Sequence, residues 1–369
     1  MGRMSALFEP LRLRDLTIRN RAWVPPMCQY SVERQDGVPV DWHLVHYGSF
    51  AQGGFGLIVA EATAVVPEGR ISPFDCGLWN DEQVEAWSRI TRFVHSQKAA
   101  IGVQLAHAGR KASTTSWFPG VEPGNVPEDQ GGWTPVGPTD VPFPSPEYTH
   151  EVHALTVPEI RDIIQAFADA AVRADAAGFD VVEIHAAHGY LMHEFYSPLS
   201  NTRTDEYGGD FAGRTRLLLE TVDAVRAAWP AHKPLLVRLS ASDWHPDGWT
   251  IDDSVVLCRM LAEHGVDLVD VSSGGNQVVP IPAGPGYQVH FAEQIRHEAG
   301  VPTSSVGIIT QPDEAEAIIA EGSADAVMIG RQALREPTWP LRAAAELGVP
   351  MSEAPYPAPR FRAAWRPAK

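Results

Sequence analysis

The chain has 369 residues, 44% of them hydrophobic, with a formal net charge of −17. That length suits two ordinary domains or one large α/β barrel, and the acidic balance argues against nucleic acid or an anionic membrane as the main partner. Three cysteines occur, Cys28, Cys76 and Cys258, with no CxxC pair, which argues against an iron–sulfur cluster, a thiolate zinc site or a disulfide framework and favours a reducing cytoplasm.

The opening stretch MGRMSALFEPLRLRD lacks the apolar core of a signal peptide, and nowhere do about 18 uncharged apolar residues run together. Short β-rich runs then recur: 22–27 (AWVPPM), 56–62 (GLIVAEA), 100–106 (AIGVQLA), 180–185 (DVVEIH), 235–240 (LLVRLS), 267–272 (DLVDVS), 303–309 (TSSVGII) and 326–330 (AVMIG). Continuous apolar runs of this kind suit parallel strands covered on both faces. Amphipathic helical patterns cover 81–97, 157–177, 213–229, 251–264 and 312–321, and Gly178, Gly265 and Gly322 stand where a left-handed residue closes a helix. Eight strand–helix alternations predict a (β/α)8 TIM barrel across 1–369, and the lack of a GxGxxG after the first strand weakens the dinucleotide-fold alternative. Residues 116–150 break the alternation: they hold eight prolines and two tryptophans without a period. They read as a proline-rich loop or lid inserted after strand three, with room for a short hairpin. Residues 350–369 form a basic, aromatic tail read as a docking segment or as a contributor to a site or subunit contact.

Barrel enzymes draw their catalytic groups from the C-terminal ends of strands. Those ends carry Pro25, Pro26, Met27, Cys28 and Tyr30; Glu61 and Ala62; Gln104, His107 and Lys111; His185, His188 and Tyr190; Arg238; Ser272 to Gly275; Gly307; and Gly330 with Arg331. Barrels often hold phosphate between the loops after strands seven and eight, and glycine backbone plus an arginine fork suits that ligand. Gly307, Gly330 and Arg331 fit such a site; the alternative is a solvated arginine at a helix start. Three readings fit the run EIHAAHGYLMH. His185 and His188 could ligate a metal with Glu183 or His193, but no dedicated spacing such as HExxH is present. They could be purely structural. Or two imidazole N–H groups could grip a carbonyl oxygen while Tyr190, protonated at neutral pH, supplies a proton.

The residues also carry a resemblance. PPMCQYS, DWHLVHYGSFAQGG, QLAHAGRKAS, EIHAAHGYL, RTDEYGG, VRLSASD and IGRQAL together resemble the Old Yellow Enzyme family of flavin-dependent ene reductases, bacterial xenobiotic-reductase or thermophilic-like subgroup. The resemblance implies FMN at the barrel mouth and NADPH or NADH as reductant. It implies hydride transfer from flavin N5 to the β-carbon of an α,β-unsaturated carbonyl or nitro compound. It places Pro25, Pro26, Met27, Cys28, Ala62, Gln104 and His185 along the flavin and Arg238 at its N1/C2 edge. Gly307, Gly330 and Arg331 fall on its phosphate. It implies a carbonyl clamp from His185 and His188, a proton donor in Tyr190 and a substrate contact in Tyr30. No metal is implied. Symmetric oligomers are common, and a homodimer or homotetramer is expected. Related barrels with a cysteine cluster and a further flavin domain fit poorly with three scattered cysteines. Members often end in an arginine or tryptophan that reaches an active site; here Ala363 stands at that place, flanked by Arg362 and Trp365.

Overall fold

A computed structural model describes residues 5–367; residues 1–4 and 368–369, the outer ends of the predicted barrel and tail spans, lie outside the described residues. Eight parallel strands form one sheet: β1 (Ala22–Trp23), β2 (Leu57–Ala64), β3 (Ala100–Ala106), β4 (Val181–Ala186), β5 (Leu235–Ser240), β6 (Leu268–Ser272), β7 (Thr303–Val306) and β8 (Ala326–Met328). Each pairs with its sequence neighbours, β8 pairs with β1, and a parallel bridge between Val24 and Ile58 joins β1 to β2, giving a (β/α)8 barrel. The first strand is shorter than its apolar run because Pro25 and Pro26 have no N–H to offer the ladder.

Helices return between strands: α1 (Asp41–Gly53), α2 (Asp81–Ser96), α3 (Val157–Ala176), α4 (Phe211–Ala228), α5 (Ile251–Glu263), α6 (Val289–Ala299), α7 (Pro312–Ala320) and α8 (Trp339–Glu346). Side chains before the helices fix several starts. Asn80 accepts from the Gln83 amide while Gln83 reaches back, and Thr156 with Glu159 does the same for α3. Gly178, Gly265 and Gly322 all sit at φ between 81° and 90°, as predicted. Three helices, α1, α6 and α8, lacked a clear signal. In α1 the period is blurred because polar His43 is buried while Trp42 and Val45 are exposed, and α6 starts without a capping side chain.

Strand alternation sends residues two ways. Ile58, Ala60, Ile101, Val103, Val182, Ile184, Val237 and Leu239 face the helices. Leu57, Val59, Val181, Leu236, Leu268 and Met328 fill the barrel's lower interior, where Leu13 and Ile18 of the hairpin Leu11–Leu13/Leu16–Ile18 close it from below. The open end is therefore the end where the strands finish. Residues 116–150 are mostly irregular; an antiparallel bridge between Thr114 and Asn125 closes a short turn at their start, and Val136–Gly137 pairs in parallel with His153–Ala154 beyond them. No described helix is long and apolar enough to cross a membrane.

Candidate active site

Parallel register brings the strand-end residues into contact. Glu183 is opposite Gln104 and His185 opposite Arg238, which in turn pairs with Asp270 on β6. The Gln104 amide donates to Glu183 Oε1 at 2.8 Å, and Ser304 donates to Asp270 Oδ1 at 2.8 Å. Burial raises the pKa of both carboxyl groups, and for Glu183 the Asp270 charge adds to it. Arg238 is buried. Its Nε lies 3.0 Å from Asp270 Oδ2 without hydrogen-bonding alignment, and its two terminal nitrogens have no partner among the described residues yet are not sealed off.

Above this layer the chain turns sharply. His188 takes φ +62° and Gly189 φ +71°. A Cβ on Gly189 would come within 2.2 Å of the Gly275 carbonyl, so only glycine lets this turn pack on the loop after β6. Lys111 ties the two loops by donating to the carbonyls of His188 (2.9 Å) and Gly275 (3.1 Å). His185 and His188 rings meet edge-on at 5.3 Å, and Tyr190 meets His185 at 4.9 Å. Burial first, then the Arg238 charge, holds both imidazoles well below the usual histidine range, so both are neutral. Burial keeps the Tyr190 phenol protonated. The Ala187 amide donates to His185 Nδ1 (3.3 Å), and His188 Nε2 is 2.7 Å from the Ser272 hydroxyl. That leaves His185 Nε2, His188 Nδ1 and the Tyr190 hydroxyl without partners among the described residues, and none of the three is buried from solvent.

Across from Tyr190, Cys28 packs on the patch of Ala62, Ile71, Ala106, Ala108 and Ala112 that Tyr190 also covers. Burial raises the Cys28 thiol pKa, so it is uncharged. Strict alternation along β2 would turn Glu61 inward and Ala62 outward. A bulge between Ala60 and Ala62 reverses this. Glu61 swings out to accept from Tyr47 (3.0 Å) and from the Gln29 amide (2.8 Å), which steadies the turn from Cys28 to Tyr30, where Tyr30 takes φ +50°.

From Arg238 a cavity of about 320 Å³ runs along Pro25, Pro26 and Met27 to Gly307, Gly330 and Arg331. Gly307 has φ +141°, and Gly330 combines φ −85° with ψ −103°, outside the ordinary regions for a side-chain-bearing residue. Arg331 has no ion-pair partner among the described residues, so a cation lines this cavity without a protein counter-charge.

A model of the NADH:flavin oxidoreductase / NADH oxidase family matches residues 6–349. The chain belongs to that family. It is 47% identical to an NADPH dehydrogenase of Geobacillus thermodenitrificans over 362 residues, 98% of this chain and 99% of the relative. Among solved structures it is similar to the old yellow enzyme homologue from Zymomonas mobilis (29% identity, TM-score 0.75, 91% of both chains). It is also similar to morphinone reductase in complex with tetrahydroNAD (27% identity, TM-score 0.75, 96% of this chain and 93% of the other). The protein is thus a flavin oxidoreductase of the Old Yellow Enzyme type.

The fold brings the site residues predicted at the strand ends to the barrel's open end or to the cavity beside it. It also adds groups that the sequence did not single out. Trp133, from the proline-rich segment, joins the patch under Cys28 and Tyr190 and donates to the Glu68 carbonyl at 2.8 Å. Phe118 meets Tyr30 edge-on at 5.9 Å, and Phe143 lies 4.8 Å from the Lys111 ammonium. His193 is not near a metal set with His185; it accepts from the Gly189 amide and lies 2.9 Å from Asp243. A different buried trio, His43, Glu61 and Cys76, gathers behind β2. There the Val40 amide donates to His43 Nδ1, so Nε2 carries the proton toward Glu61 (3.2 Å) and Cys76 (3.3 Å), which is a hydrogen-bond arrangement. The tail lies elsewhere: Ser352 to Pro359 and Phe361 line a cavity with Arg19, Asn20 and Gln97 at the strand-start end, and the Trp365 amide donates to the Tyr356 hydroxyl there.

Proposed function

We propose that the enzyme is an FMN-dependent NADPH:enone oxidoreductase that reduces the activated C=C bond of α,β-unsaturated carbonyl compounds. FMN, when bound, supplies a two-electron carrier that accepts hydride from NADPH and delivers it to a second substrate. The residues present fit this group. Arg238 offers terminal nitrogens with no protein partner to an electron-rich ring edge, and the cavity beyond it ends at two glycines and an uncompensated arginine suited to phosphate. Pro25, Pro26 and Met27 line that cavity with uncharged surface, and Cys28 and Ala62 meet in the apolar patch beside Tyr190.

The observation that carries the substrate class is the set of unpartnered polar atoms on one loop: His185 Nε2, His188 Nδ1 and the Tyr190 hydroxyl. Neutral imidazoles donate hydrogen bonds to a carbonyl oxygen and polarise the conjugated bond, an effect strengthened where water is excluded. Tyr190, held protonated, gives its proton to the α-carbon as charge reaches it. Tyr30 and the neutral Cys28 border the same space. The test is a visible spectrum of the purified protein followed by anaerobic titration. Flavin absorbance bleached by NADPH and restored by 2-cyclohexenone without oxygen is the expected result; a flavin that NADPH bleaches but no enone restores overturns the substrate class.

A further inference from the structure

The clamp needs two N–H donors, yet a neutral imidazole has one N–H, and its other nitrogen repels a carbonyl oxygen. For His185 the backbone settles the matter: the Ala187 amide donates to Nδ1, so the proton is on Nε2. For His188 the decision falls to a side chain. We propose that Ser272 is a positioning residue that sets the tautomer of His188, donating its hydroxyl proton to Nε2 and so placing the ring proton on Nδ1, the nitrogen left open to the site.

The direction of the hydrogen bonds follows from a donor-only group at one end of a chain. The Trp244 indole N–H donates to Ser273 Oγ at 2.9 Å. Ser273 then donates onward to Gln288 Oε1 at 2.5 Å. The Gln288 amide is oriented oxygen-inward because its Nε2 donates to the Val306 carbonyl at 2.9 Å. An amide oxygen can accept twice, but Ser272 lies 3.4 Å from Gln288 Oε1, beyond the ordinary O–H···O range, against 2.7 Å from His188 Nε2. The single hydroxyl proton goes to the acceptor within range. Ser272 is buried, on the wall of the cavity that runs from Arg238 to Arg331. The opposite tautomer would spend the only N–H of His188 on Ser272 and turn a lone pair toward the substrate.

This inference rests on the carbonyl-clamp reading, but its main test does not need turnover. In the FMN-loaded enzyme with ¹⁵N-labelled histidine rings, two-bond ¹H–¹⁵N correlation reads the tautomer directly, and a His188→Gln variant identifies the His188 signals by their loss. The expected result is a protonated Nδ1 in the parent enzyme. Ser272→Ala is expected to shift both His188 nitrogens toward a mixed tautomer while the His185 signals stay, and Ser272→Thr to restore the parent pattern. The affinity for p-hydroxybenzaldehyde falls about tenfold in Ser272→Ala, the effect of one hydrogen bond, and returns in Ser272→Thr. A protonated Nε2 in the parent enzyme overturns the proposal, and so does an unaltered tautomer in Ser272→Ala. An enzyme with the expected tautomer that fails to reduce cyclohexenone leaves the proton placement standing and overturns the enone reading instead.

Discussion

His185 and Arg238 are register partners on adjacent strands, both buried, each with nitrogen turned to the open end of the barrel. The pairing joins two tasks. The arginine charge adds to burial in keeping the imidazole neutral, and a neutral imidazole donates without bringing a second cation into the same small space.

Replacing Arg238 with Met removes the charge beside Asp270 and leaves a buried carboxylate uncompensated. We expect a loss of roughly 3–5 kcal/mol in stability and purified protein nearly free of flavin. Adding Asp270→Asn restores the melting temperature but not the flavin, read from the ratio of visible to ultraviolet absorbance. Recovery of both in the double variant would mean that Arg238 serves only its carboxylate.

Tyr190→Phe removes the proton donor and little else, since the phenol has no protein partner to lose. In anaerobic stopped-flow measurements, reoxidation by cyclohexenone slows by roughly 10²-fold or more, and reduction by NADPH loses far less. Equal slowing of the two half-reactions removes Tyr190 from the role of acid.

Glu61 holds the Cys28–Tyr30 turn from behind. Glu61→Ala strips the acceptor from the Gln29 amide and from Tyr47, leaving buried donors unpaired at a cost of about 1–3 kcal/mol each. Glu61→Gln keeps one acceptor oxygen and loses less. Chemical denaturation ranks the two variants, and equal stabilities would show that the bulge needs no acceptor there.

Glu194 supplies a pH test. Burial pushes its carboxyl up to about 8, against partial relief from Arg110. Between about 4.5 and 8 the folded protein therefore binds a proton that the unfolded chain has released. That contribution is complete below the unfolded value and is lost as pH rises through the folded one. Glu194→Gln removes it, so the variant's melting temperature declines less than the parent's between pH 5 and pH 8.5, a difference on the order of a few kcal/mol. Asp75, also raised to about 8 by burial, leaves the same slope in both proteins and cancels. Parallel curves for parent and variant would show that Glu194 is ionised across the range.

Strand–helix alternation, the closing glycines and the His185–His188–Tyr190 run were legible without a structure, because each is local: period, cap and turn depend on residues a few positions apart. The same holds for Gly307 and Gly330–Arg331, whose strand-end positions follow from the alternation alone. Only the tertiary structure turned Glu61 outward, through a bulge that counting by twos misses. It also laid Trp133 against the patch shared by Cys28 and Tyr190, gathered His43 with Glu61 and Cys76, and set Ser272 against His188. These contacts join residues far apart in sequence, and their geometry depends on how the barrel closes. A hydrogen bond changes with tenths of an ångström, and the pattern of apolar residues does not resolve distances that small.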